Sequence, residues 1–233
     1  MRQRWADLLF LHWRLRPEEV QGTLPPGLRV DAFAGAAWVG VVPFFMEAVR
    51  PAGLPALPWL SSFLELNVRT YVRDAAGRPG VWFYSLDCAR WPAVEIARRG
   101  FHLPYEHAAM AARREPGGEI QYRCQRLPRQ RFGAAEYRYR GVGPVREARA
   151  GSLEHFLAER YRLFSWNPRR RRLYTGEVWH RPYPLQAAEV TQWSAQPLAW
   201  NGGFLPEGPP AAQHYSSGVE VGIFPLRRLP GGA

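Results

Sequence analysis

The chain has 233 residues and a formal charge of +11 at pH 7, and all 31 of its Lys-plus-Arg residues are arginine. Without a lysine ε-amine there is no Schiff-base nucleophile, no internal aldimine to pyridoxal phosphate, and no phosphate-cradling lysine of the P-loop or kinase kind. An apolar share of 46% marks a globular chain long enough to close a sizeable core, and 22 glycines with 22 prolines suit short strands and tight turns better than a helical bundle.

Pro17 opens a short helix with Glu18 and Glu19 well placed in its first turn, and Pro25-Pro26-Gly27 ends it by turn chemistry. Ala36 to Val42 reads as a compact apolar strand ending at Pro43, and Leu54 to Pro58 as a stiff extended loop. Glu65 to Val72 is the most informative strand. Period two puts Leu66, Val68, Thr70 and Val72 on one face, and four polar residues, Glu65, Asn67, Arg69 and Tyr71, on the other. A hairpin-type connection from Asp74 to Gly80 leads to an aromatic-rich strand, Val81 to Leu86. Pro92 to Arg99 reads as a short helix closed by Gly100. A turn at Glu115 to Gly118 precedes strands near 119–126 and 135–142. Ser152 can cap a helix whose apolar residues Leu153, Phe156, Leu157, Tyr161 and Phe164 keep helical spacing. A turn at Asn167-Pro168 leads to a strand from Leu173 to Trp179, and the last strand runs from Val219 to Phe224. With no repeat and no linker, residues 1–233 are expected to form a single strand-dominated α+β domain.

Cys88 and Cys124 lie far apart with no CxxC spacing, which fits free thiols of a reducing compartment and gives no reason to expect a metal site. The apolar run Leu8 to Leu11 is broken by His12 and Arg14, too short for a signal-peptide core or a membrane span, so the cytoplasm is the expected location. Charge is unevenly placed. Residues 113–181 hold 17 arginines against 7 acids, whereas residues 1–112 hold 12 against 10. This stretch could bind a polyanion such as nucleic acid, but no nucleic-acid motif accompanies it. The alternation Tyr137-Arg138-Tyr139-Arg140 favours the solvated face of half-buried strands.

Glu65 and Arg69 stand about 13 Å apart along their strand, at roughly 3.3 Å per residue, too far to pair but within reach of one shared ligand. If their face points into a barrel, each buried group needs a partner, and a small polar ligand or ordered water supplies one; if it points outward, they are ordinary solvated residues. Both alternatives stand at this point. Farther along, Arg98, His102, Tyr105 and His107 bring a guanidinium, imidazoles and a phenol close together. His102 and Tyr105 are acid–base candidates, and the spacing of His102 and His107 across Pro104 matches no metal-ligand pattern. Ser85-Leu86-Asp87-Cys88 lacks the glycine-flanked elbow of a nucleophilic serine, and Asp87 disfavours a thiolate at Cys88.

The stretches Leu24–Asp31, Ala37–Phe44, Phe63–Tyr71, Gly80–Asp87, Ala97-Arg98 through Leu103-Pro104-Tyr105, and Ser217–Val221 resemble, in that order, the YqjF-like bacterial family, a family of unknown function. That family is similar to the acetoacetate decarboxylase-like superfamily. The resemblance implies a cone-like, mainly antiparallel closed β-barrel with an internal cavity and peripheral helices. The decarboxylases carry Gly-Arg followed by aromatic-Pro-Lys-Lys, the first lysine forming the Schiff base. Here Arg98 and Pro104 keep that spacing, while Tyr105 and Glu106 take the two lysine positions, so imine chemistry is excluded.

The pocket that remains implies a cofactor-free protein taking a small organic carboxylate or carbonyl compound. Glu65 and Tyr105 are the catalytic candidates, and Asn67, Arg69, Arg98 and His102 the ligand-binding ones. Three readings compete: non-covalent acid–base catalysis, ligand binding or sensing without turnover, and polyanion binding through 113–181. Self-association would suit a chain with 10 tryptophans.

Overall fold

A computed structural model of the protein describes residues 1–50, 61–89, 102–128, 133–201 and 203–229. The long strands in its first half are β1 (Arg2–Leu15), β3 (Ala37–Arg50), β4 (Phe63–Asp74) and β5 (Pro79–Cys88), with the short β2 (Leu28–Val30) pairing onto β4. Then come β6 (Tyr105–Arg114), β7 (Ile120–Arg126), β8 (Ala135–Arg146), β9 (Arg162–Asn167), β10 (Arg172–His180), β11 (Leu185–Gln192), β12 (Ala212–Ile223) and the two-residue β13 (Arg227–Arg228). Among the described residues, three helices of five or six residues, α1 (Pro17–Gln21), α2 (Leu153–Ala158) and α3 (Gln196–Trp200), lie between strands.

The strand order is β13-β10-β9-β5-β6-β7-β8-β11-β12-β1-β3-β4-β2, with β10 also pairing to β12 and β5 to β4. Those two extra pairings close the sheet, as the barrel expectation requires, but into two rings that share one wall, β12-β1-β3-β4-β5. Strands β9 and β10 complete one ring, and β6, β7, β8 and β11 the other. Pairing is antiparallel except where β5 meets β6 and β9.

A shared wall must be apolar on both faces, and its sequence is. Leu9, Leu11 and Trp13 of β1, Val39 and Val41 of β3, and Leu66 and Val68 of β4 enter one core with Tyr122, Tyr137 and Tyr139. From the opposite faces Leu8, Phe10, Trp38, Val42, Phe44 and Tyr71 enter the second core. This explains why β1 has no period-two signature: a strand buried on both faces reads as a continuous apolar run. The segment that seemed merely too short for a signal peptide is a 14-residue strand at the centre of the sheet. Strands β6 and β11 also had no counterpart among the sequence expectations.

Three boundaries move. The strand expected to stop at Pro43 continues to Arg50. Pro43 faces the stretch of β1 between Ala6 and Leu11 where the register slips, so its missing N–H falls where the ladder is already irregular. Ser152 caps α2 as expected, its hydroxyl accepting the His155 N–H at 3.2 Å, but the helix stops at Ala158. Phe164 belongs instead to β9, packed against Leu28, Val72 and Leu173 in a small third core. The last long strand begins earlier, at Ala212. Leu54 to Pro58 and the expected helix from Pro92 to Arg99 lie outside the described residues.

In the arginine-rich stretch, Tyr137 and Tyr139 are buried while Arg138 and Arg140 point outward, the pattern of a half-solvated strand. Arg123 pairs with Glu136 and Arg140 with Glu189 across neighbouring strands, at 3.2 and 2.9 Å. Such exposed pairs add little stability, and they neutralise part of the local charge excess.

Candidate functional site

The face of β4 that bears Glu65, Asn67, Arg69 and Tyr71 turns inward, into the ring closed by β9 and β10. Glu65, Asn67 and Arg69 are all buried, and all three line a cavity of about 70 Å³. The register shows how the wall presents them. Phe44 of β3 and Cys88 of β5 flank Glu65, Val42 and Leu86 flank Asn67, and Gly40 and Phe83 flank Arg69. The cavity thus has a carboxyl near one end, a guanidinium near the other, and an amide between them on an otherwise apolar row.

Tyr105 reaches the same cavity from β6. The parallel pairing of Leu86 with Tyr105 sets it one strand beyond Leu86 and two from Asn67, and its phenol donates to Glu65 Oε2 at 3.0 Å. Burial is the main cause that lifts the Glu65 pKa from 4.5 to about 8; the Tyr105 hydrogen bond opposes the shift and the Asp87 charge adds to it. Burial and then the charge of Glu65 push Tyr105 well above its ordinary value, so it stays a neutral phenol. From the other core, Tyr122 donates to the backbone carbonyl of Glu65 at 2.8 Å, fixing the strand behind the carboxyl.

At the opposite end Arg69 donates through Nη2 to the Leu157 carbonyl at 3.0 Å, in the last turn of α2. Its guanidinium carbon stands 5.3 Å from the Phe10 ring centroid and 5.7 Å from that of Tyr71. Arg69 Nε is buried without a hydrogen-bond partner, and among the described residues no carboxylate lies within 4.0 Å of the group. The Tyr71 hydroxyl spends its one proton on the Leu157 carbonyl at 2.7 Å, so the 2.7 Å contact with His12 has the imidazole Nε2–H as donor. Burial, and secondarily the charge of Arg69, hold the His12 pKa well below its usual value, which keeps that ring neutral. Gly40 makes room for it, since a Cβ there would lie 2.7 Å from His12 Nε2.

Two further arginines line the cavity. Arg160 is neutralised by Asp31 at 2.7 Å, although that carboxylate also serves Arg73 at 2.8 Å. Arg162 stands 3.7 Å from Glu177. The cavity therefore carries surplus positive charge, and Glu65 contributes little negative charge to balance it. Such a site favours an anion, with Arg69 its one lining guanidinium lacking an acidic partner among the described residues.

Of the sequence candidates, Glu65, Asn67, Arg69 and Tyr105 converge. His102 does not join them. Its backbone takes φ 50°, and its ring packs 5.2 Å from Tyr174 with Nε2 3.4 Å from Asn167 Nδ2, away from the cavity lining. Arg98 lies outside the described residues. Sequence reasoning missed Gln3 and Trp5, because β1 had no strand signature, and Arg160 and Arg162, which follow a helix that was expected to run on through them. Ser85 and Asp87 face the other core. There Asp87 takes Arg126 through both carboxylate oxygens at 2.6 and 2.8 Å, and Asn201 donates to Ser85 at 2.8 Å.

Residues 2–220 match the DUF2071 family model, described as an uncharacterised conserved protein, and the chain belongs to that family. It is 36% identical over 228 residues to the uncharacterised protein YqjF of Bacillus subtilis, covering 98% of this chain and 92% of that one. Among solved structures, it is similar to the enduracididine biosynthesis enzyme MppR complexed with pyruvate, with a TM-score of 0.65, 17% identity, and 97% and 89% of the two chains covered. An acetoacetate decarboxylase from Legionella pneumophila is similar at a TM-score of 0.61 and 10% identity, covering 98% and 87%. An acetoacetate decarboxylase-like enzyme from Sphingomonas wittichii gives 0.59 and 18%, covering 98% and 92%. The fold is thus acetoacetate decarboxylase-like. No helix among the described residues is long and apolar enough to cross a membrane.

Proposed function

We propose that this YqjF-like protein binds a small organic acid in the cavity along β4, with its carboxylate on Arg69, and performs non-covalent acid–base chemistry beside a carbonyl held at Glu65 and Tyr105. The observation that carries the reading is the pairing, along one cavity, of a buried arginine with no acidic partner among the described residues and a buried carboxyl whose pKa is lifted to about 8. A guanidinium in that position gains most from a planar carboxylate, which it can hold through two parallel hydrogen bonds. A carboxyl titrating close to neutrality can both give and take a proton, the requirement of a general acid–base group. Tyr105, neutral throughout, turns its one proton from Glu65 to the oxygen on which charge develops. Imine formation plays no part, because the chain has no lysine. The pyruvate complex of MppR, a protein of similar fold, makes pyruvate a sensible first probe.

Thermal-shift titration with pyruvate and acetoacetate, against their uncharged amide and ester analogues, tests the binding step. The acids are expected to raise the melting temperature of the wild type and to leave Arg69→Met unmoved. Deuterium exchange at the carbon next to the carbonyl, followed by NMR in D₂O, tests the chemistry. Glu65→Gln should stop exchange while binding persists. Binding without exchange in the wild type would reduce the site to a receptor, and absence of any shift with the acids would overturn the proposal.

A further inference from the structure

Between Glu65 and Arg69, at the two ends of the cavity, stands one polar group that neither end explains. Asn67 is buried to more than nine-tenths, its amide facing the cavity from a row whose flanking residues, Val42 and Leu86, are apolar. Its Oδ1 is fully buried with no hydrogen-bond partner among the described residues. Leaving a buried amide oxygen unpaired in that setting is costly, and a leucine of similar size would fit the row without the penalty.

Resting on the carboxylate reading given above, we infer that Asn67 is a specificity-determining residue that selects a hydroxyl group on the bound acid. An amide presents a donor at one atom and an acceptor at the other, and its two orientations exchange them. A hydroxyl both donates and accepts, so it satisfies Asn67 in either orientation, whereas a keto oxygen only accepts and a methylene does neither. An ammonium group also donates, but Arg69, which has no acidic partner among the described residues, lines the same cavity and repels a second cation. Size narrows the class further. About 70 Å³ of open space, at roughly 10–15 Å³ for each water-sized group, holds about five to seven heavy atoms, the size of a three- or four-carbon acid. The favoured ligand is thus a short hydroxy acid, or a keto acid carrying one hydroxyl, oriented with its carboxylate on Arg69.

The test uses matched pairs of acids differing by one hydroxyl: propionate with lactate and 3-hydroxypropionate, butyrate with 3-hydroxybutyrate, and pyruvate with 3-hydroxypyruvate. Affinities are measured by calorimetry on the full-length wild-type protein and on Asn67→Leu. In the wild type, at least one hydroxylated member is expected to bind about tenfold or more tightly than its parent, because a site built around a hydroxyl leaves its own amide unpaired with the analogue. Asn67→Leu should bring each pair to within about twofold, with the parent acids retaining their affinity. The wild-type comparison needs no variant, so it decides the matter even if Asn67→Leu folds poorly. Parent acids binding as well as every hydroxylated partner would overturn the role of Asn67 and leave the carboxylate site standing. Failure of all the acids to bind would overturn both.

Discussion

Replacing Glu65 by glutamine tests the electrostatics of the cavity without any ligand. The carboxyl is buried beside Tyr105, and its pKa rises from 4.5 to about 8. A tenfold change in proton affinity corresponds to about 1.4 kcal/mol, so the ionised form is disfavoured in the folded protein by up to about 5 kcal/mol, with water entering the cavity reducing that figure. The sign follows from proton counting. Between about pH 4.5 and 8 the unfolded chain has lost the proton while the folded chain keeps it. Stability from this group is therefore fully present below the lower value, falls as pH rises, and is gone above the upper one. Glutamine keeps an acceptor for the Tyr105 hydroxyl but has no proton to lose. Urea denaturation of both proteins at about pH 5, 7 and 9 isolates the group, because the other titrations are common to the two and cancel in the difference. The variant should gain on the wild type by several kcal/mol across that range, against a total stability of about 5–15 kcal/mol for a typical domain. A difference that stays flat with pH, or one that favours the wild type increasingly at alkaline pH, would falsify the account of a desolvated, largely protonated carboxyl.

Three other outcomes are expected. Gly40→Ala puts a methyl 2.7 Å from His12 Nε2, forcing the imidazole off Tyr71, and a thermal melt should register a loss of about 1–3 kcal/mol. Unchanged stability would mean that His12 has room to move. Arg126→Met leaves Asp87 charged and buried in the other core, a loss of about 3–5 kcal/mol by denaturant titration, whereas the double change Arg126→Met with Asp87→Leu should recover much of it. Replacing Arg169 to Arg172 by glutamine should lower retention on heparin and leave the melting shift with pyruvate intact. Loss of that shift would tie the arginine run to the cavity.

The sequence by itself determined the alternation of β4, and with it the set Glu65, Asn67, Arg69 and Tyr71, because a strand's side chains alternate by geometry alone. It also determined what the chain cannot do, since imine chemistry needs an amine that no folding can supply. Likeness to the YqjF-like family carried the fold class and directed attention to Tyr105. The hydrophobic pattern could not say which way the β4 face points. Both faces of the shared wall are buried, Leu66 and Val68 in one core and Tyr71 in the other, and a doubly buried strand has no solvent side to reveal its orientation. For the same reason β1 went unread, and with it Gln3 and Trp5 in the cavity lining. Tertiary structure alone decided that His102 packs against Tyr174, that Asp31 neutralises Arg160, and that Arg69 meets a helix carbonyl and, among the described residues, no carboxylate. These pairings join residues up to about 130 positions apart, through ring closures that depend on long-range strand registry and leave no local trace in composition or spacing.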